Sequence, residues 1–190
     1  MGRDVLEQDL NILERMVSYL GEYLLSEETH WEMREPGMPK LTIGGCLMRL
    51  HRLHTLQDQL SPTCQEQLNK VTEQFETVLQ GSIVRFEEKT HQELHARLHD
   101  WVSYFADLSR HMLVDQGYFA DKVDTRVVIT AMVDKMQTAP YNLQGQIKNE
   151  VISLDNNLRQ RWQTGTFIWD ATWQAAYPVT KYWFLYGMPK

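Results

Sequence analysis

The decapeptide HQELHARLHD, residues 91–100, places three histidines four positions apart. In an α-helix, side chains four residues apart lie on the same side, one turn above the other. Imidazole nitrogens arranged in this way are ligands that Zn, Fe, Mn and Ni accept. The decapeptide therefore has two interpretations: a metal-binding helix, or a helix whose polar edge carries structural or pH-sensitive histidines.

The angular positions of these side chains separate those that face the core from those that face solvent. We take Leu94 as the core direction and about 100° per residue. Glu87 then lies at about 20° and His91 at about 60°, whereas His95 lies at about 100°. We expect His99, farther round, to be exposed. A carboxylate that faces the core, as Glu87 does, needs a partner.

A second flank with similar chemistry precedes this helix in HRLHTLQD, residues 51–58. On a helix, His51, His54 and Asp58 fall within about 60° of one another. If this flank faced the later histidines, a helical interior would hold a divalent metal: Fe, Mn, Ni or Zn. The predicted metal ligands are His54, Asp58, Glu87, His91 and His95.

Three pairs of side chains resemble the metal-binding elements of hemerythrin-like domains, which are H-x-x-x-E, H-x-x-x-H and H-x-x-x-x-D. In chain order the pairs are His54 with Asp58, His91 with His95, and His111 with Asp115. The first pair has Asp where the family has Glu, and the third is one residue shorter. The resemblance implies a metal-binding helical bundle, and it identifies no family for this chain.

Motifs for other cofactors and for nucleophilic catalysis are absent from the sequence. There is no G-x-G-x-x-G or phosphate-binding loop, so no nucleotide or flavin motif is present. There is also no G-x-S-x-G, H-E-x-x-H or C-x-x-C pattern. Whether the protein is an enzyme stays open on these grounds.

Apolar residues repeat at helical spacing along most of the chain, beginning with a seam of about three heptads. The seam residues are Leu6, Leu10, Leu13, Val17, Leu20 and Leu24. Thr42 is the expected N-cap of a second helix, and Ser61-Pro62 begins a third. Gly44 and Gly45 weaken the second helix by about 1 kcal/mol each relative to Ala, unless close backbone packing uses them.

The stretch 62–114 carries two apolar stripes rotated by nearly a quarter turn. Either one long helix bends there, or the helix breaks near Gly81-Ser82, and we favour a long helix with a kink. Further helices are expected at about 121–138 and 142–163, and no segment shows sustained strand alternation. These patterns predict an all-α fold, an antiparallel helical bundle with one long kinked helix.

The C-terminal segment is rich in aromatic residues, with seven between positions 169 and 186. Burial of each ring contributes about 2–3 kcal/mol, so we expect this segment to pack back on the bundle. We therefore predict a bundle domain at 1–165 and an aromatic segment at 166–190, forming a single domain overall. Alternatively the segment contacts a partner or a second copy, or forms the wall of a small-molecule pocket. The predicted partner-binding residues are Trp169, Trp173, Tyr177 and Trp183.

Charge and cysteine content narrow the partners and the compartment. The formal net charge is −6, and the first 35 residues carry nine acidic and three basic side chains. Since no basic patch is present, nucleic acid is not an expected partner. Cys46 and Cys64 provide no disulfide framework, which favours a cytoplasmic location. The longest apolar run, 127–133, is far below the ~20 residues of a membrane span.

These observations predict a non-catalytic helical-bundle protein that binds a protein partner or forms a homo-oligomer. Its predicted surfaces are the acidic first helix and the aromatic segment. The alternative is a metal-binding bundle with redox or hydrolytic activity. A third class, a pocket for a hydrophobic small molecule lined by Met and Trp, stays open.

Overall fold

The structure, a computed structural model, describes residues 2–109 and 116–190 and is mostly helical. Its α-helices and strands are α1 Gly2–Leu25, α2 Ile43–Thr55, α3 Pro62–Gln80, α4 Ile83–Ser109, α5 Gln116–Met136, α6 Gly145–Gln160, β1 Trp162–Phe167 and β2 Tyr186–Pro189. This confirms a predominantly helical fold, whereas the antiparallel arrangement of the bundle stays a prediction. In the described ranges, no helix combines the length and the apolar character needed to cross a membrane. The predicted pair His111 and Asp115 lies outside the described residues.

The apolar heptad seam predicted for α1 is buried in the core. All six of its apolar residues are buried, and the most exposed of them, Val17, is only 4% exposed. The seam packs against α2 and α3. Because the apolar residues recur on one side of the helix, burial of that side fixes the rotation of α1 about its axis.

The start of α2 is held by a side-chain cap and by close helix packing. Thr42 Oγ1 accepts a hydrogen bond from the Gly45 amide at 2.9 Å, as expected of an N-cap. A methyl group on Gly44 would lie 2.2 Å from Cγ1 of Val128 on α5 and 2.7 Å from Oε1 of Glu93 on α4. The helices therefore approach one another so closely that only glycine fits at position 44.

The favoured prediction of one long helix from Pro62 is wrong. Helix α3 ends at Gln80, a turn follows at Gly81-Ser82, and α4 begins at Ile83. The two apolar stripes belong to helices with different neighbours, since α3 packs mainly on α1 and α4 mainly on α5. The turn lets each helix direct its own stripe at its own neighbour.

The C-terminal segment contains a two-stranded antiparallel sheet that the sequence patterns did not predict. Helix α6 ends at Gln160, and Trp162 of β1 pairs with Pro189 of β2. Gly187 has φ +147, and a methyl group there would lie 2.1 Å from the Gln163 carbonyl oxygen. The strands pair segments about 25 residues apart, and the four central residues of β1 are exposed, so no alternating pattern marks this strand.

Between the strands, the aromatic segment packs back on the helices. A 3-10 helix at Ala171–Ala176 lies against α2, and a second at Trp183–Leu185 lies against α5. Tyr177 and Phe184 are fully buried. The segment therefore covers one side of α2 and α5 and supplies part of the core.

Candidate ligand-binding pocket

A cavity of about 610 Å³ opens between α1, α2, α5 and the C-terminal segment 168–176. This volume lies within the range of about 300–1,000 Å³ that is typical of small-molecule sites. Each of the three helices supplies polar as well as apolar side chains, and the C-terminal segment supplies two tryptophans. The charged and aromatic lining residues are Asp9, Arg49, Arg52, Asp121, Asp124, Trp169 and Trp173.

One carboxylate lies between two guanidinium groups at the α1–α2 side of the cavity. Asp9 Oδ1 is 3.1 Å from Nε of Arg49, and Asp9 Oδ2 is 3.2 Å from Nη1 of Arg52. The side chains of Asp9 and Arg52 are only 7% and 4% exposed. These contacts are ion pairs without hydrogen-bond alignment, because Asp9 Oδ2 and Arg49 Nε lack a hydrogen-bond partner among the described residues. The group therefore has unused hydrogen-bonding capacity where water is largely excluded.

The C-terminal segment orients Arg52 and closes one wall of the cavity. Arg52 Nε donates a hydrogen bond to the Tyr177 hydroxyl oxygen at 3.1 Å, and its guanidinium lies 3.9 Å from the ring centroid of Trp173. Trp169 Nε1 donates to the Ala120 carbonyl at 3.0 Å. In the described ranges the Trp173 Nε1 group is buried without an acceptor. The stacked arginine and the two indoles together form this wall of the cavity.

The α5 wall carries two carboxylates, one exposed and one half-buried. Asp121 is exposed at the rim, and Asp124 lies one turn farther along, deeper in the protein. Burial raises the pKa of Asp124, and the more distant Arg97, Arg52 and Arg49 lower it in part. Neither carboxylate makes a direct ion pair or hydrogen bond with the described residues. This wall therefore presents acceptors without cations in contact.

The structure places the predicted metal ligands in separate surroundings. His54 Nε2 lies 2.9 Å from Thr72 Oγ1 on α3, and Asp58 is exposed in a short 3-10 turn at 57–59. Nowhere in the described ranges do three His, Cys, Asp or Glu side chains group closely enough to hold a metal ion. No three of the five predicted ligands therefore come together, and a metal site stays a prediction without supporting geometry.

Glu87 and His91 instead hold the connection between α5 and α6. Glu87 Oε1 accepts a hydrogen bond from the Asn142 amide at 2.7 Å, and His91 Nε2 accepts one from the Gln144 amide at 3.4 Å. The expectation that Glu87 needs a partner is met by the backbone. Burial lowers the pKa of His91, which favours the neutral ring that this acceptor role requires. His95 is exposed.

His51 faces the aromatic segment rather than a metal. Its Nε2–H donates to the Ala176 carbonyl at 2.8 Å, and its ring packs against Tyr177 and Tyr182. Burial lowers the pKa of His51. This histidine helps to hold the segment that forms the pocket wall.

The predicted partner-binding residues lie in three different surroundings. Tyr177 is fully buried, so in this structure it is not available to a partner. Trp169 and Trp173 are half-buried and line the cavity. Trp183 is half-buried elsewhere, with the Arg159 guanidinium 3.9 Å from its ring. Binding of a protein partner at this segment stays a prediction.

Sequence reasoning missed the charged pocket residues, although one of them left a signal. Asp9 lies about 60° from Leu6 on the α1 helix, next to the apolar seam rather than opposite it. A carboxylate in that position must find a cation or a cavity. Arg49, Arg52 and Asp124 carry no such signal, because the elements that bury them are distant in sequence.

Comparison with known proteins adds no assignment. No family model, curated protein or solved structure matches the chain. The pocket itself is therefore the basis for a functional proposal.

Proposed function

We propose that this protein is a non-catalytic binding protein that holds a small organic molecule in the pocket between α1, α2, α5 and segment 168–176. The observation that carries the proposal is the incompletely satisfied Asp9–Arg49–Arg52 group beside an open cavity. Burial of an ion costs several kcal/mol unless its hydrogen bonds are completed, and an unmatched polar atom costs about 1–3 kcal/mol. A ligand anion that pairs with the two guanidinium groups from the cavity side offsets part of this cost.

The composition of the lining supports recognition of a molecule that is partly apolar and partly charged. Val5, Ile12 and Met48 provide apolar surface beside the indoles of Trp169 and Trp173. Small-molecule sites in proteins characteristically combine an apolar lining with a few placed polar groups. Of the functional classes that the sequence leaves open, this lining therefore favours the small-molecule pocket lined by Met and Trp.

A pocket-filling substitution tests the proposal. Gln8 is exposed and lines the cavity, so Gln8→Trp narrows it without removing a core residue. Gln92→Trp is the matched control, because Gln92 is exposed on α4 and does not line the cavity. Binding of a panel of charged and neutral aromatic fragments is measured by saturation-transfer NMR and titration. We expect fragments that bind the wild type and Gln92→Trp and bind Gln8→Trp at least about tenfold more weakly.

Two results would contradict the proposal. One is that no fragment binds the wild type at millimolar concentration. The other is that fragments bind all three proteins equally, which would place the binding outside the pocket. Circular dichroism and thermal unfolding of both variants establish that any loss of binding does not come from a loss of fold.

A protein partner or a second copy of the chain is a second proposal, supported by the partial exposure of Trp183 and its Arg159 neighbour. Tryptophan and arginine are the residue types most enriched at binding hot spots. Sedimentation equilibrium of the wild type and Trp183→Ala tests the homo-oligomer form of this proposal. A mass that is monomeric for the wild type at all concentrations would contradict it. A cytoplasmic location stays a prediction.

A further inference from the structure

The charged groups around the cavity define the chemistry of the ligand more narrowly than the pocket alone does. We propose that the ligand is a small zwitterion whose carboxylate pairs with Arg49 and Arg52 and whose ammonium group pairs with Asp121 and Asp124. This inference rests on the proposed function, because it concerns the same pocket.

Charge balance is the first argument. Among the described residues, the buried and half-buried charges that line the cavity are two cations and two anions: Arg49, Arg52, Asp9 and Asp124. The charge of Arg97, which does not line the cavity, also acts on Asp124. Glu93 pairs with Arg97 at 2.7 Å, and Asp9 is shared by the two α2 arginines. One positive charge on α2 and the negative charge of Asp124 on α5 are therefore left without a contact partner of their own.

The placement of these charges on two helices is the second argument. Arg49 and Arg52 are three residues apart on α2, and Asp121 and Asp124 are three residues apart on α5. Residues at this spacing lie on the same side of a helix, and all four line the cavity. The pocket thus has a guanidinium wall and a carboxylate wall, each with unused capacity.

A zwitterion satisfies both walls without changing the net charge of the site. A purely cationic ligand would leave the α2 guanidinium groups with a single shared carboxylate. A purely anionic ligand would bring a further negative charge toward Asp124. A ligand with both charges bridges the two walls and forms one direct ion pair with each. Direct ion pairs are strongest where the surroundings have a low dielectric constant.

The rest of the lining indicates what the zwitterion carries. Ile12, Met48 and the indoles of Trp169 and Trp173 provide an apolar and aromatic surface between the two charged walls. A compact amphiphilic molecule such as an amino acid with an apolar side chain fits these features. L-phenylalanine is therefore a suitable probe, because its two charges can be removed one at a time.

The test is calorimetric titration of the full-length protein with four matched compounds. L-phenylalanine carries both charges, L-phenylalaninamide only the ammonium, N-acetyl-L-phenylalanine only the carboxylate, and N-acetyl-L-phenylalaninamide neither. We expect L-phenylalanine to bind at least about tenfold more tightly than either singly charged compound. If a singly charged compound binds as tightly as L-phenylalanine or more tightly, the proposal of a zwitterionic ligand is overturned.

Two variants assign each charge to its wall. Asp124→Asn should abolish the preference for L-phenylalanine over N-acetyl-L-phenylalanine, and Arg49→Gln should abolish the preference over L-phenylalaninamide. Asp100→Asn and Arg85→Gln are matched controls, because both residues are exposed on α4 and do not line the cavity. Retention of both preferences in the two pocket variants overturns the assignment.

The outcomes separate this inference from the proposed function. If fragments bind in a manner sensitive to Gln8→Trp and none of the four phenylalanine compounds binds, the zwitterion is wrong and the binding function stands. If neither the fragments nor the four compounds bind, both are wrong.

Discussion

Two groups of buried charges lie close together in this molecule and differ in how completely their hydrogen bonds are made. In the first, Glu93 is fully buried, accepts from Arg97 Nε at 2.7 Å and accepts from the Gly44 amide at 2.9 Å. Arg97 also donates to Thr42 Oγ1 at 3.3 Å. In the second, the Asp9 group beside the pocket, two polar atoms lack hydrogen-bond partners among the described residues.

The difference separates a structural role from a binding role. The Glu93 group joins the start of α2 to α4, and both oxygens of its carboxylate are used within the protein. The Asp9 group opens on a cavity and leaves capacity for another molecule. Buried polar groups in folded proteins are nearly always satisfied, so an unsatisfied group beside open volume points to a ligand. We expect substitutions in the first group to change stability and those in the second to change binding.

The largest effect is expected for Glu93→Ala. The change leaves the largely buried Arg97 without its carboxylate and the Gly44 amide without its acceptor. Removal of one partner of a buried ion pair costs about 3–5 kcal/mol, which urea unfolding at neutral pH measures. Gln92→Ala, at an exposed neighbouring position, is expected to change the unfolding free energy by less than about 0.5 kcal/mol. A loss below about 1 kcal/mol in Glu93→Ala would contradict a structural role for this group.

A smaller loss of unfolding free energy is expected for Gly44→Ala, which disturbs the Glu93 group through packing. Its methyl group would collide with Val128 and displace Glu93 Oε1, and overpacking of this kind costs about 1–3 kcal/mol. Gly21→Ala is the matched control, since nothing lies within 4 Å of the added methyl group on α1. That control should gain up to about 1 kcal/mol from helix propensity. Thermal unfolding measures both variants. If the unfolding temperatures of Gly44→Ala and Gly21→Ala shifted in the same direction, the packing role of Gly44 would be contradicted.

Asp124, the half-buried carboxylate on the α5 wall of the pocket, should behave in the opposite way to Glu93, and Asp124→Asn tests this. Burial disfavours the ionised form of Asp124, so the neutral isostere is expected to be as stable as the wild type or more stable by up to about 1 kcal/mol at pH 7. The measurement is again urea unfolding. Destabilisation by more than about 1 kcal/mol would contradict this, because it would show that Asp124 serves the fold.

The smallest and most specific effect is expected in the pH dependence of the difference in unfolding free energy between Asp124→Asn and the wild type. Burial raises the folded-state pKa of Asp124 above its unfolded value of about 3.9. The folded state therefore keeps the proton to higher pH, and stability from this group is full below pH ~3.9 and is lost as the pH rises through the raised pKa. The excess stability of Asp124→Asn should accordingly be near zero at about pH 3.5 and should grow toward pH 7. An excess that shrinks as the pH rises would contradict a raised pKa.

Local features of the fold were predictable from the sequence because neighbouring residues determine them. The α1 seam, the Thr42 cap and the Ser61-Pro62 start of α3 are all confirmed. Gly44 is also used for close helix packing, which is the circumstance in which a glycine at the start of α2 is expected to be tolerated. Each of these features depends on residues within a few turns of one helix.

The pocket was not predictable because distant segments form it. Asp9, Arg52 and Asp124 come from three different helices, and Trp173 closes the site from a segment near the C-terminus. The histidine spacing was interpreted correctly as a shared helix side. What faces that side is decided by tertiary packing, which brings backbone amides to Glu87 and His91 and a threonine to His54.

The indole Nε1–H signals in a ¹H–¹⁵N NMR spectrum, recorded as L-phenylalanine is added, provide the most direct test of the binding role. Trp169 and Trp173 line the cavity, whereas Trp101 is buried on α4 against Tyr104. Single Trp→Phe variants assign the three signals. We predict that the Trp169 and Trp173 signals shift with a common saturating dependence on concentration while the Trp101 signal stays in place. Unmoved Trp169 and Trp173 signals, or equal shifts of all three, would contradict a ligand in this pocket.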